Sequence, residues 1–166
     1  NLKILGKLPT TGVTISEQKE NTLETTLKAI KAENAEIYFT ENAKATQDIE
    51  DAENGWTQDL ATLTNAKLYL IKVDSLERGA KFDATITVQL PKTIVGNAIS
   101  YTQYGVIYST ETETDVKESS RKIGLATSVA ANIRTEVTAQ VGKDKINDGD
   151  IVKEGEVIKY TVTVTN

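Results

Sequence analysis

Beyond Gly155, apolar and threonine side chains alternate without a break: Ile158, Tyr160, Val162 and Val164 fall in one phase, Thr161, Thr163 and Thr165 in the other. A period of two sends successive side chains to opposite faces, so the stretch predicts a half-buried β-strand. The pattern recurs at 81–90, where Phe82, Ala84, Ile86, Val88 and Leu90 share a phase and Pro91 then removes a ladder donor. Residues 66–73 are apolar in both phases, which suits a central strand, and Glu77-Arg-Gly79 predicts a turn that closes a hairpin with the strand after it. Further strands are expected at 2–5, 13–16, 36–40, 104–110, 123–128, 135–142 and 155–165, with turn signals at Asn147-Asp-Gly149 and Lys153-Glu-Gly155.

Two segments resist this reading. In 21–31 Leu23, Leu27 and Ile30 stand at helical spacing and Glu24 pairs with Lys28 at i,i+4, so a short helix and an extended connection stay open as alternatives. Residues 41–63 are polar and acidic around the lone Trp56, and predict a long excursion with one helical turn near 45–51. The expected class is therefore all-β, an antiparallel β-sandwich with room for one short helix.

Composition narrows the chemistry. The chain has 166 residues, no Cys, no His and no Met, which removes thiol and imidazole catalysis and the usual zinc and copper ligand sets. A net charge of -5 with scattered Lys and Arg argues against nucleic acid. No stretch approaches eighteen apolar residues, so no membrane-spanning helix is expected. The 24 threonines, stiff at χ1 and polar at their tips, favour sheets with a wetted face and an extracellular setting. Apolar strands at both ends, with Asn rather than Met at position 1, lead us to expect one repeat of a longer polypeptide.

The segment Gly155-Glu-Val-Ile-Lys-Tyr-Thr-Val-Thr-Val-Thr-Asn166 resembles the opening strand of the tandem-repeat domain of Gram-positive cell-wall surface proteins, and Asn1-Leu-Lys-Ile-Leu-Gly-Lys-Leu-Pro9 is similar to a later strand of that repeat, with Gly6 where the family more often has Asp. Residues 36–40, Asn54-Gly-Trp56, 76–91 and 104–108 resemble long adhesin-type repeats. The resemblance implies immunoglobulin-like sandwiches in a wall-anchored, extracellular adhesin-like protein, anchored through regions outside these residues. It also implies a division into a sandwich over 1–133, incomplete at its N-terminal edge, and, over 134–166, either the opening strands of the next repeat or strands that complete the same sandwich. The expected function is a non-enzymatic spacer with neighbouring repeats as partners and no cofactor. The alternative is direct adhesion to a host matrix protein or glycan through the 41–63 excursion.

Leu8-Pro-Thr-Thr-Gly12 matches the sortase sorting pattern, but 13–19 lacks the apolar stretch that such a signal needs, so a Pro-initiated turn is expected. Lys143 and Asn166 lie in phase with the apolar faces of their strands, which makes them candidates for the intramolecular isopeptide bond that the resemblance implies. Asp48, Glu50, Asp51, Glu53 and Asn54 offer oxygen ligands but not the spacing of a calcium loop, so a solvated acidic loop is expected. Trp56, Tyr101 and Tyr104, with Tyr108, are candidates for a carbohydrate-stacking platform. No two of the 24 acids form a preferred glycosidase pair.

Overall fold

The computed structural model describes residues 2–15, 20–93, 96–110, 112–113, 115–127 and 134–165. The chain divides into two compact units, Asn1–Ser128 and Val129–Asn166. Every strand ladder is antiparallel. The described helical residues form two three-residue 3-10 turns, at Ala52–Asn54 and Leu60–Thr62. The protein is all-β.

In unit 1 the larger sheet is built on β1 (Leu2–Lys7), which pairs along one edge with β4 (Leu68–Val73) and along the other with β6 (Ala98–Tyr108). β3 (Glu36–Thr40) extends it beyond β4, β7 (Val116–Ser119) lies beyond β6, and β8 (Ile123–Thr127) pairs with the N-terminal half of β6. β2 (Thr26–Ala32) and β5 (Ala84–Gln89) form a separate two-stranded sheet. The apolar side chains of the two sheets pack on each other: Tyr69, Ile71 and Val73 of β4, Phe39 of β3 and Leu27 of β2 share one buried cluster, against which Ile4, Ile30, Ala84 and Val88 also pack. Sheet-on-sheet packing of alternating strands defines a sandwich.

Register explains why each phase faces inward. Ile4 stands beside Ile71, and Gly6 beside both Tyr69 and Tyr104. A Cβ on Gly6 would lie 1.9 Å from Cζ of Tyr69, so the ring lies over the bare glycine backbone. Burial there pushes the Tyr69 phenol up to about 12, with a smaller contribution from the nearby Tyr104. Glycine at position 6 thus makes room for an aromatic core residue on the neighbouring strand.

The ambiguous segment 21–31 resolves as strand β2, and its helical spacing has a physical cause. The ladder with β5 runs Leu27↔Val88 and then Ala29↔Thr87, so Lys28 is the extra residue of a β-bulge. One inserted residue returns Leu27 and Ile30, three apart, to the same face. Glu24 does not pair with Lys28; its carboxylate lies 3.8 Å from the Lys67 ammonium.

Three other expectations are corrected. The Glu77-Arg-Gly79 turn exists, with Ala80 N–H on Glu77 C=O at 2.9 Å, but it closes no hairpin. Both edges of β4 are already taken by β1 and β3, so the chain crosses to the other sheet, where β5 pairs with β2. Residues 13–15 contribute only the Thr14↔Glu20 bridge, although Val13 and Ile15 are fully buried; Ser16 is outside the described residues. β6 begins six residues earlier than expected, at Ala98, where Ser100 is buried and bonded to the backbone of Leu23.

Unit 2 is a three-stranded sheet in the order β10 (Asp144–Ile146), β9 (Arg134–Val141), β11 (Ile158–Thr165). The boundary near 128–133 falls outside the described residues.

Gly6→Ala is expected to destabilise unit 1 by about 1–3 kcal/mol through overpacking, read as a lower urea midpoint at unchanged m-value. The same substitution in a Tyr69→Leu background should lose most of that cost.

Candidate functional site

The most organised polar region of unit 1 is the 41–63 excursion between β3 and β4. Its path is set by Asn54, which is buried although it is polar. The Asn54 amide accepts from Thr46 N–H at 2.9 Å and donates to Thr46 Oγ1 at 2.9 Å and Asp48 C=O at 2.8 Å, while Thr40 Oγ1 donates to the Asn54 carbonyl at 2.7 Å. Gly55, at φ 61°, then turns the chain so that Thr57 exchanges two backbone hydrogen bonds with Phe39. That exchange covers part of the outer edge of β3, which would otherwise offer unpaired groups to another strand.

Three aspartates of the excursion are spent on its own backbone. Asp48 accepts from Glu50 N–H, Asp51 from Glu53 N–H and Asp59 from Ala61 N–H, each at 3.0 Å. Asp51 and Asp59 are the N-caps of the two 3-10 turns, so helical structure starts at 52 and 60 and not across 45–51 as expected. Glu41 accepts from the N–H groups of Thr64 and Asn65, which closes the mouth of the excursion. Those two backbone bonds, Asn65 first, hold the Glu41 carboxyl below its ordinary value of 4.5. Among the described residues no three acids converge on a common metal position.

A cavity of about 280 Å³ lies where the excursion meets β1, β6 and the start of β7. Lys3, Lys117, Asp48 and Asp115 line it, with Ile107 and Tyr108, and Lys3 donates to Gln47 C=O at 3.4 Å on one side. It offers hydrogen-bonding groups of both signs. Ser109 also lines it.

The aromatic candidates do not converge. Tyr101 and Tyr104 are three apart on β6 and point to opposite faces. Trp56 precedes the Thr57 bridge at the outer edge of β3, three strands and about 14 Å from β6 at the usual strand spacing, and its indole N–H donates to Thr46 C=O at 2.9 Å. The ring braces the excursion. Lys143, expected to face inward, sits exposed in the turn between β9 and β10, because β9 ends two residues earlier at Val141. Asn166 is outside the described residues.

Leu8-Pro-Thr-Thr-Gly12 is a turn packed into unit 1: Leu8, Pro9 and Thr10 are buried, and Gly12 has φ 79°. Around it lies a polar network that hydrophobic patterning does not reveal. Thr10 Oγ1 donates to Thr25 C=O and Thr25 Oγ1 to Pro9 C=O, both at 2.9 Å, while Asn21 bonds both backbone groups of Tyr101. Asn65 joins this network through Glu24 and Thr25. Its amide oxygen is the one buried side-chain polar atom without a partner among the described residues. The adjacent Thr25-Thr26 pair was the available signal, because successive residues of extended chain face opposite ways, so one of the two must face in.

Comparison with family models, characterised proteins and solved structures gives no match for the chain.

Two outcomes follow from the excursion. Asn54→Ala is expected to cost about 1–2 kcal/mol, since it removes three side-chain hydrogen bonds that hold the part-buried backbone near Thr46 and Asp48, and hydrogen exchange should quicken across 42–57 before it does in β1. The Glu41 clamp is complete above the ordinary glutamate value of 4.5 and is lost as pH falls through its depressed value. Amide chemical shifts of Thr64 and Asn65 should therefore titrate with a midpoint below 4.5, and Glu41→Gln should abolish that titration.

Proposed function

We propose that the chain is a non-enzymatic spacer module of an extracellular, adhesin-like protein of a Gram-positive cell wall, with immunoglobulin-like sandwiches, neighbouring repeats as partners and an anchor supplied by other regions. The observation that carries this reading is the way unit 1 would transmit tension. Leu2 stands opposite Tyr108, and Thr127 opposite Ala98. These are the two ends of β6, whose eleven residues extend about 35 Å at the usual rise per residue. β1 and β8 each run antiparallel to β6, so both point the same way while their outer ends lie at opposite ends of one strand. Tension applied at Leu2 and Thr127 runs along the strands and loads the hydrogen bonds of each ladder together, across their length, rather than one after another.

The chemistry supports the same reading. The described polar side chains are engaged mainly in fixing backbone. The sequence resemblance to wall-protein repeats supplies the setting.

A second reading, direct binding of a host matrix protein or glycan through the excursion, draws on the cavity at its edge and on how firmly Asn54 and Glu41 hold it. Asp115→Ala with Lys117→Ala removes lining charge without touching those anchors, and under this reading lowers affinity about tenfold. An absence of measurable binding to matrix proteins and glycans removes the reading.

For the spacer, single-molecule pulling through Leu2 and Thr127 should require a clearly higher unfolding force than pulling through Leu2 and Tyr108, which lie side by side and unzip. Equal forces in the two geometries would count against a load-bearing role.

A further inference from the structure

β11 in unit 2 repeats the pattern of β5 in unit 1. Gly79–Gln89 and Gly155–Thr165 align without a gap, and their local geometry matches as well as their sequence. Ala80 N–H bonds Glu77 C=O at 2.9 Å, and Glu156 N–H bonds Lys153 C=O at 3.2 Å, with Gly79 at φ 82° and Gly155 at φ 88°. The same kind of turn precedes β5 and β11, and it recurs at Asn147–Asp150. Thr85 and Thr87 correspond to Thr161 and Thr163, and the opposite phase, Phe82, Ala84, Ile86 and Val88, corresponds to Ile158, Tyr160, Val162 and Val164.

The two copies differ in what lies over that phase. Phe82, Ala84 and Val88 pack on the buried cluster beneath the larger sheet of unit 1, with Ile86 of the same phase 38% exposed. Tyr160, Val162 and Val164 are 65%, 62% and 62% exposed, and Val137, which stands beside Val162 on β9, is 63% exposed. Register puts Thr135, Val137, Ala139 and Val141 on this same face, so β9 and β11 place no charged side chain on it. Arg134, Glu136 and Lys159 lie on the other face. One face is thus built for water and the other for burial.

We infer that the β9/β11 face is the inner face of a second sandwich, and that its occupant is a further antiparallel sheet with an alternating apolar face, tethered in the same polypeptide. Size decides against a second copy of the chain. Two strands of eight residues present on the order of 300 Å² of face, against about 800 Å² per partner in a stable association between free molecules. A tethered sheet avoids the translational cost that so small a face cannot offset. The inference stands on the internal repeat and the exposed face, and does not depend on the wall-protein setting.

Nitration by tetranitromethane, read by peptide mass, tests it with two internal references: Tyr69, buried, and Tyr104, 45% exposed. In the 166-residue chain Tyr160 is expected to react like Tyr104. In the polypeptide purified from its source, Tyr160 should fall towards Tyr69, at least about tenfold slower, as a group reached only by opening. If Tyr160 stays as reactive as Tyr104 in the source polypeptide, the inference is overturned. If Tyr160 in the 166-residue chain becomes protected as concentration rises, the occupant is a second copy and the inference is equally overturned. Neither result bears on the pulling comparison, so the two proposals fail separately.

Discussion

Unit 1 depends on β1 being bonded along both of its edges. Six residues register with β4 on one side and with β6 on the other, so one short segment joins partners more than sixty residues away in sequence. Closing such long loops costs chain entropy that only simultaneous burial can offset. That burial comes from the inner phase, where Ile4 and Gly6 complete the surface on which Ile71 and Tyr69 meet β2 and β5. Without β1, β4 loses an edge partner and β6 loses its bond to the rest of the larger sheet.

Around this centre the protein uses polar side chains as fasteners. Asn54 holds the excursion, Asn21 and Ser100 tie the approach to β2 onto β6, and Thr10 and Thr25 lock the buried turn at 8–12. Each satisfies backbone groups that irregular chain would otherwise bury without partners, the condition under which long loops stay ordered. The abundance of threonine follows from this double use: its branched side chain suits the sheets, and its hydroxyl reaches nearby carbonyls where the chain leaves them.

The alternating strands were legible because one face is apolar and the period is two. The 36–40 strand has the bounds expected, and the expected strands at 123–128, 135–142 and 155–165 lie within three residues of β8, β9 and β11. Pairing was not legible. The 66–73 segment reads as central, but no local feature says that both of its edges are filled by remote strands, so the adjacent strand looked like its partner. The Leu27 and Ile30 spacing shows a subtler limit, because a bulge imitates helical period over one turn. β7 and β10 are short and charged, and their order rests on the ladders they join. For the candidate site, acidity at 48–53 was evident, but what the acids bind is backbone, which no composition discloses; the aromatic grouping failed because strand order separates Trp56 from β6.

Native-state hydrogen exchange at Ile4 and Leu5, followed at low denaturant, tests the central role of β1 most directly. If β1 is the strand on which unit 1 closes, these amides exchange only through global unfolding, with an opening free energy equal to that of the whole unit and the same denaturant slope. Exchange at Ile4 and Leu5 through a smaller, denaturant-independent opening, while β4 stays protected, would contradict the account.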